Sequence, residues 1–294
     1  MPWLILHVDC DQAHCPTIEE VLLDSGAASV TLQDSEDQPL FEPTPGETPL
    51  WQQVTVSGLF DAGTDLEPIV TNLRARGDLV IAGHRLEILE DKDWVRSWMD
   101  DYQPLPMGER LWICPSWLEP PDRKATNLIL DPGMAFGTGT HPTTAMCLRW
   151  LDGAHLEGSR VIYYGCGSGI LAIAALLLGA TEAVGTDIDP QALQASRANA
   201  ERNGIPEERL QLCFPQAMAD VAPSPLLVAN ILAGPLASLA PQITPLVQPG
   251  GSLLLSGILA YQGESVMHAY PAFSFALPRE QEGWLLLEGR RNAP

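Results

Sequence analysis

Three alternating glycines and one aspartate are the residues of this 294-residue chain whose types and spacing best suit a ligand site. Gly165, Gly167 and Gly169 let the backbone turn sharply and approach a ligand without a Cβ in the way. An apolar helix is predicted over residues 170–178, with its N-terminal N–H groups directed at that ligand. Asp187 follows about twenty residues on, where its carboxylate can accept hydrogen bonds from two ribose hydroxyls. The pattern indicates a nucleoside-bearing cofactor; the alternative is a tight strand-to-helix turn with no ligand.

The glycine spacing is compatible with two kinds of cofactor. Residues 167–172 also fit the dinucleotide pattern Gly-x-Gly-x-x-Ala. The segment shows no neighbouring residues typical of hydride transfer, and the compact triple glycine is more typical of class I S-adenosylmethionine methyltransferases. S-adenosylmethionine is therefore the predicted cofactor, with a nicotinamide dinucleotide as the alternative.

The elements around the glycines predict a parallel sheet. A strand at 161–164, the helix and a second strand at 183–186 form a βαβ unit with a right-handed crossover. Further strands are predicted over 209–214, 225–229 and 253–256. Asn230 directly follows the fourth strand, at the edge where open α/β sheets bind ligands. Its side-chain oxygen could orient an amine, or Asn230 could instead cap a helix that begins near Pro235.

A second informative stretch runs from Leu128 to Thr144 and is predicted to be a polar loop rather than a strand. Its glycines, its threonines and His141 could fold over a ligand and donate hydroxyl and N–H groups. Pro142 fits the first turn of a helix over 143–151. His141 could act as a base or could have a flanking structural role.

The N-terminal part predicts a separate small domain. Strands at 2–8, 29–33, 52–60 and 84–90 alternate with helices at 17–25 and 65–76, and Thr17 with Glu20 suggests a capping box. This βαββαβ order is typical of a ferredoxin-like α+β fold. We expect an α+β substrate-recognition domain over 1–90, a linker helix over 91–104 and a catalytic α/β domain over 105–294.

The composition of the chain restricts the classes of molecule that it is expected to bind. The chain has 37 acidic and 16 basic residues, a formal charge of −21 and a sequence pI near 4.4. Such a surface repels nucleic acid phosphates and favours basic partners. Six scattered cysteines, the lack of a basic leader and the lack of a membrane-length apolar run predict a cytoplasmic protein. We expect a monomer without a metal site.

Several of these segments together resemble one family, the bacterial ribosomal protein L11 methyltransferases, over nearly the whole chain. The similarity rests on RLWICP at 110–115, DPGMAFGTGTHPTT at 131–144, GCGSGILAIA at 165–174, DIDP at 187–190, ANIL at 229–232 and LSGIL at 255–259. It implies a Rossmann-like class I methyltransferase domain with a seven-stranded, mostly parallel sheet behind the small α+β domain.

The resemblance also implies an activity: methylation by S-adenosylmethionine of lysine ε-amines and the N-terminal α-amine of a basic large-subunit ribosomal protein. Asn230, which could orient an amine, is the residue expected to be catalytic. The residues expected to bind the cofactor are Phe136, Thr138, Thr144, Gly165, Gly167, Gly169, Asp187 and Asn230.

One position departs from the family pattern. The family normally has an acidic residue two positions before the first glycine, where this chain has Tyr163. Losing a charge-assisted hydrogen bond to the cofactor's ammonium costs about 1.5–3 kcal/mol, or roughly ten- to hundredfold in affinity. Asp131 or backbone carbonyls could compensate. Two alternatives therefore stay open: a methyltransferase for another amine or amide substrate, and a cofactor-binding pseudoenzyme.

Overall fold

The computed structural model describes residues 3–36, 50–89, 102–131 and 139–293. Its contacts divide the chain into two compact units, Met1–Met99 and Asp100–Pro294. The predicted linker helix falls mostly outside the described residues, and residues 102–104, which are described, are not helical. Within the described ranges, the helices are all too short or too polar to cross a membrane.

The first unit is a four-stranded antiparallel sheet with two helices. Its elements are β1 (Trp3–Asp11), α1 (Cys15–Asp24), β2 (Ser29–Asp34), β3 (Gln53–Asp61), α2 (Glu67–Ala75) and β4 (Ile81–Leu89). The strand order β2-β3-β1-β4 confirms the ferredoxin-like prediction. Apolar side chains of one sheet face, such as Leu6 and Phe60, pack with Ile18 and Leu22 of α1.

The predicted capping box of the first helix is wrong. The helix begins at Cys15, its N-cap is His14, and Thr17 lies inside the first turn. Pro16 explains the earlier start, because proline is well suited to the first helical positions, where no N–H is needed.

The second unit has one large sheet, one small sheet and five helices among the described residues. Its elements are β5 (Leu105–Pro106), β6 (Leu111–Cys114), β7 (Thr126–Ile129), α3 (Pro142–Gly153), β8 (Arg160–Tyr164), α4 (Ile170–Leu177), β9 (Glu182–Thr186), α5 (Pro190–Arg202), β10 (Leu210–Cys213), β11 (Ser224–Asn230), α6 (Ala233–Ile243), β12 (Val247–Leu259), α7 (Gly263–Ala269), β13 (Phe273–Phe275), β14 (Arg279–Gln281) and β15 (Trp284–Arg291).

The large sheet has the strand order β10-β9-β8-β11-β12-β15-β13, and β14 pairs with β15. The first five strands are parallel, whereas β15 runs antiparallel to β12. Two buried apolar clusters cover its faces, one containing residues of α3 and α4 and the other residues of α6 and α7. This is the predicted Rossmann-like architecture, although the sheet has eight strands among the described residues where seven were predicted, because the short β14 pairs with β15. The connections change direction between β8 and β11, so a crevice is expected at the carboxyl ends of these strands.

The stretch predicted as a loop from Leu128 onward starts later than expected. Thr126–Ile129 forms β7, which pairs with β6, and Leu128 is fully buried opposite Ile113. Four residues of strand carry too little periodicity to be recognised before their pairing is known.

Candidate active site

The glycine turn lies between β8 and α4. Gly165, Gly167 and Gly169 have φ of 73°, 52° and 80°, the left-handed region that glycine adopts without strain. The backbone N–H groups of Gly165 and Cys166 donate to the carbonyl oxygen of Thr186, at 2.8 and 2.9 Å. The turn is therefore held against the end of β9.

Side chains are excluded from this turn by contact as well as by φ. A Cβ on Gly165 would lie 2.3 Å from Cγ2 of Ile231, and one on Gly169 would lie 2.9 Å from Oγ of Ser196. The turn thus brings its backbone close to the residue that follows β11.

Asp187 lies where the sequence pattern predicts, just beyond β9. One carboxylate oxygen accepts from the N–H of Gly167 at 2.9 Å, and the other accepts from the N–H of Asp189 at 3.1 Å. These bonds fix the carboxylate beside the glycine turn. Each oxygen keeps a further lone pair with which it can accept from a ligand hydroxyl.

Asn230 is the last residue of β11 and is buried, with 7 % of its surface exposed. Its Nδ2 donates to Oγ1 of Thr144 at 3.1 Å, and Thr144 is fully buried in the first turn of α3. Asn230 does not cap the next helix, because the N-cap of α6 is Leu232.

The carbonyl oxygen of this amide has no partner. Oδ1 of Asn230 is buried, and none of the residues that the structure describes forms a hydrogen bond with it. An unsatisfied buried acceptor costs about 1–3 kcal/mol. A bound donor would remove that cost, which marks Oδ1 as a ligand-binding atom.

His141 has a structural role at the start of α3. It is the N-cap, its Nδ1 lies 2.8 Å from Oγ1 of Thr143, and its ring packs edge-to-face on Trp284. Burial lowers the pKa of His141, and the charge of Glu282 opposes this shift. The imidazole is therefore neutral near pH 7.

Two apolar residues beside Asp187 were not predicted as site residues. Ile188 is 83 % exposed and Phe214 is 47 % exposed. Phe214 directly follows β10 and Ile188 lies two residues after the end of β9; the two strands are paired, with Thr186 of β9 facing Cys213 of β10. An apolar residue directly after Asp187 was the available sequence signal.

Tyr163 points into an apolar environment, with 4 % of its surface exposed. Burial raises the pKa of its phenol well above the usual range, and the nearby Cys147, Cys166 and Asp187 add to that shift. The side chain is thus a neutral packing residue and supplies no charge.

Asp131, the residue expected to compensate for Tyr163, has several partners among the described residues. Its carboxylate accepts from the N–H and the hydroxyl of Ser116, at 2.7 and 2.9 Å, and forms an ion pair with Arg202 at 3.5 Å. Compensation for Tyr163 by Asp131 stays a prediction.

Two predicted cofactor-binding residues, Phe136 and Thr138, lie in 132–138, outside the described residues. Within the described ranges, no group of three His, Cys, Asp or Glu side chains is arranged to hold a metal ion.

The sequence of this chain matches the family model for ribosomal protein L11 methyltransferase (PrmA) over residues 2–292. The chain belongs to this family. A ribosomal protein L11 methyltransferase from Pseudomonas putida (strain W619) is 56 % identical over 292 residues, covering 99 % of this chain and all of that protein. The corresponding protein from Klebsiella pneumoniae (strain 342) is 55 % identical over 295 residues, with the same coverage.

A solved structure supports the same assignment. The ribosomal protein L11 methylase from Lactobacillus delbrueckii subsp. bulgaricus is 34 % identical, with a TM-score of 0.59. It covers 65 % of this chain and 100 % of its own.

The described residues fit S-adenosylmethionine, the cofactor of this methyltransferase family. The unpaired Oδ1 of Asn230 provides a buried acceptor, and the turn at Gly165 provides backbone with no space for a Cβ. Asp187 provides acceptors for ribose hydroxyls, and Ile188 with Phe214 provides exposed apolar surface for a base.

Proposed function

We propose that this protein transfers methyl groups from S-adenosylmethionine to ribosomal protein L11, at lysine ε-amines and at the N-terminal α-amine. The observation that carries the proposal is the buried, unpaired Oδ1 of Asn230, at the carboxyl end of β11 beside the glycine turn. A neutral acceptor in this position suits an amine nucleophile.

Four groups of residues would hold the cofactor. The backbone of the turn at Gly165, Gly167 and Gly169 and the N-terminus of α4 would approach it closely. Asp187 would accept from the ribose, Ile188 and Phe214 would provide apolar surface for the base, and Thr144 of α3 would be a further contact. S-adenosylmethionine, when bound, supplies a methyl group on a positively charged sulfur, which is a good leaving group.

The protein's own contribution is alignment of a neutral amine. A lysine with a pKa near 10.4 must first lose its proton to solvent. Oδ1 of Asn230 then accepts a hydrogen bond from the amine N–H, which directs the nitrogen lone pair toward the methyl group. Asn230 is uncharged, so it orients the amine and does not deprotonate it.

The remaining assignments are also proposals. Residues 1–90 form a substrate-recognition domain, residues 91–104 link it to the catalytic domain over 105–294, and the enzyme is a cytoplasmic monomer. A charge of −21 favours a basic protein substrate over nucleic acid.

Calorimetry followed by mass spectrometry tests the proposal. We expect S-adenosylmethionine to bind, nicotinamide adenine dinucleotide not to bind, and purified L11 to gain mass in steps of one methyl group when both substrates are present. Cofactor binding without methylation of L11 would instead favour the pseudoenzyme or a different amine substrate. Preferential binding of the dinucleotide would overturn the proposal.

A further inference from the structure

The residue that follows Asn230 is enclosed on both sides by glycines of the neighbouring strands. β11 lies between β8 and β12, and Ile231 directly follows its last residue. On the side of β8, a Cβ on Gly165 would lie 2.3 Å from Cγ2 of Ile231. On the side of β12, a Cβ on Gly257 would lie 2.3 Å from the carbonyl oxygen of Ile231. The proposed mechanism gives Gly257 no role.

Gly257 is the extra residue of a β-bulge in β12. It is buried, its φ is 84°, and the pairing of β12 with β15 changes register between Ser256 and Ile258. A glycine in the left-handed conformation is typical of such a bulge. Ser256 is also the partner of Asn230 in the parallel pair of β11 and β12. The bulge therefore lies one residue beyond Asn230, level with Ile231.

The two contacts of Ile231 differ in kind. Gly165 meets its side chain, whereas a Cβ on Gly257 would lie 2.8 Å from its carbonyl carbon and 3.2 Å from its backbone nitrogen. That nitrogen belongs to the planar peptide group shared with Asn230. Real Cβ atoms essentially never come within 3.0 Å of another atom, so a side chain on Gly257 would have to displace this backbone.

Asn230 has little freedom to follow such a displacement. Its Nδ2 donates to Oγ1 of Thr144, and its Oδ1 is the buried acceptor on which the proposed alignment of the amine depends. A shift of the backbone would therefore turn Oδ1 or break the bond to Thr144. Misplacement of reacting groups by about 1 Å can lower a rate about hundredfold.

We propose that Gly257 is a positioning residue for methyl transfer, which acts through the backbone of Ile231 on the position of Asn230. The inference rests on the proposed function. Because Gly257 has no Cβ, the Ile231 backbone can lie against the bulge of β12 while the Ile231 side chain lies against the glycine turn. Contacts on both sides thus fix the position of Asn230 relative to Gly165.

The first experiment compares Gly257→Ala with Gly250→Ala. Both glycines belong to β12 and have positive φ, 84° and 72°, but no atom of the described residues lies within 4 Å of where a Cβ on Gly250 would lie. In steady-state methylation of L11, Gly257→Ala should lower kcat about thirtyfold and leave the KM for L11 unchanged. Gly250→Ala should have the wild-type kcat. Equal kcat in the two variants would overturn the inference.

The second experiment separates the two contacts of Ile231. A Cβ on Gly257 pushes Ile231 toward Gly165, so Gly257→Ala should also raise the Kd of S-adenosylmethionine about fivefold, measured by calorimetry. Adding Ile231→Ala removes Cγ2, the atom next to Gly165, and should return the Kd to that of Ile231→Ala alone. The carbonyl group next to Gly257 remains, so kcat should stay low. Recovery of kcat together with the Kd would overturn the inference, because a general loss of stability would change both quantities together.

Ile231→Ala by itself covers the case in which Gly257→Ala does not fold. This variant adds no atom and keeps its carbonyl group against Gly257. Its kcat should therefore stay within about threefold of the wild type, because the backbone next to Asn230 is unchanged. A loss as large as that expected for Gly257→Ala would show that the side chain positions Asn230, and would overturn the inference.

The proposed function and this inference fail in different ways. If the wild-type enzyme methylates L11 and Gly257→Ala matches Gly250→Ala in kcat, only the inference fails. If the wild-type enzyme does not methylate L11, the proposed function fails. The Kd values for S-adenosylmethionine then still decide the inference, since equal values in Gly257→Ala and Gly250→Ala would overturn it.

Discussion

Thr144 Oγ1 accepts the Nδ2–H of Asn230 across 3.1 Å, and this contact joins the first turn of α3 to the end of β11. Because one side of the amide is held by Thr144, Oδ1 on the other side can accept a hydrogen bond from a ligand. The pair therefore acts as a unit, in which the threonine sets the direction of the asparagine acceptor.

The first prediction concerns this pair. Asn230→Ala should lower kcat for L11 methylation about hundredfold, because the amine loses its orientation. Thr144→Val keeps the shape but removes the acceptor, and should lower kcat about tenfold. The double variant should resemble Asn230→Ala, since the threonine acts through the asparagine. Full turnover in Asn230→Ala would remove that residue from the mechanism.

A second prediction tests the departure at Tyr163. Tyr163→Asp should tighten S-adenosylmethionine binding about ten- to hundredfold, by supplying the charge that a neutral phenol lacks. The unliganded variant should be less stable, because its carboxylate is buried, and saturating cofactor should offset that loss. Calorimetry and thermal melts measure both effects.

Two further variants at this position separate charge from shape. Tyr163→Asn matches the new side chain in size without its charge, and Tyr163→Phe removes only the hydroxyl. Neither should tighten binding. Equal affinity in the Asp and Asn variants would show that a carboxylate at this position does not contact the cofactor.

The third prediction concerns Asp187, which anchors the glycine turn and faces the proposed ribose site. Asp187→Ala should weaken S-adenosylmethionine binding by about a hundredfold, and Asp187→Asn by less because one oxygen remains. Asp189→Asn removes the same charge two residues away and keeps the N-cap of α5, so it should bind normally. Similar losses in Asp187→Asn and Asp189→Asn would indicate a general charge effect.

A matched glycine pair gives the fourth prediction. Gly165 and Gly158 have nearly the same φ, 73° and 72°, but of the two only Gly165 has a neighbouring atom within 4 Å of where a Cβ would lie. Gly158→Ala should cost about 1–2 kcal/mol of unfolding free energy for left-handed backbone alone. Gly165→Ala should cost more and weaken cofactor binding, because Ile231 must move. Denaturant unfolding curves that coincide for the two variants would contradict the contact.

Much of this site follows from local sequence. The turn at Gly165 and the acid at Asp187 were predictable because positive φ and a ribose acceptor each require one residue type at a set spacing. Features that depend on strand pairing could not be predicted. The strand that contains Leu128, for example, is formed by its pairing with β6. Similarly, Trp284 and His141 are far apart in sequence, and the tertiary fold brings their rings into contact.

The contact partners of individual side chains also could not be predicted from the sequence. The N-cap alternative for Asn230 and the base alternative for His141 were each compatible with the residue type. The geometry separates them, because Leu232 caps α6 and the His141 ring is engaged by Thr143 and Trp284. Burial, which lowers the pKa of His141, depends on the same tertiary contacts.

That lowered pKa leads to a pH prediction. The ordinary pKa of histidine is 6.5, and in the folded protein that of His141 is lower because its ring is buried. Below pH 6.5 the unfolded chain therefore binds a proton that the folded protein does not bind until lower pH, and unfolding becomes more favourable. The stabilisation is complete above pH 6.5 and is lost as the pH falls below it. Melting temperatures measured between about pH 8 and pH 5 should fall more in the wild type than in His141→Asn, which has no imidazole to protonate. Parallel pH profiles for the two proteins would show that His141 is not protected from protonation by the fold.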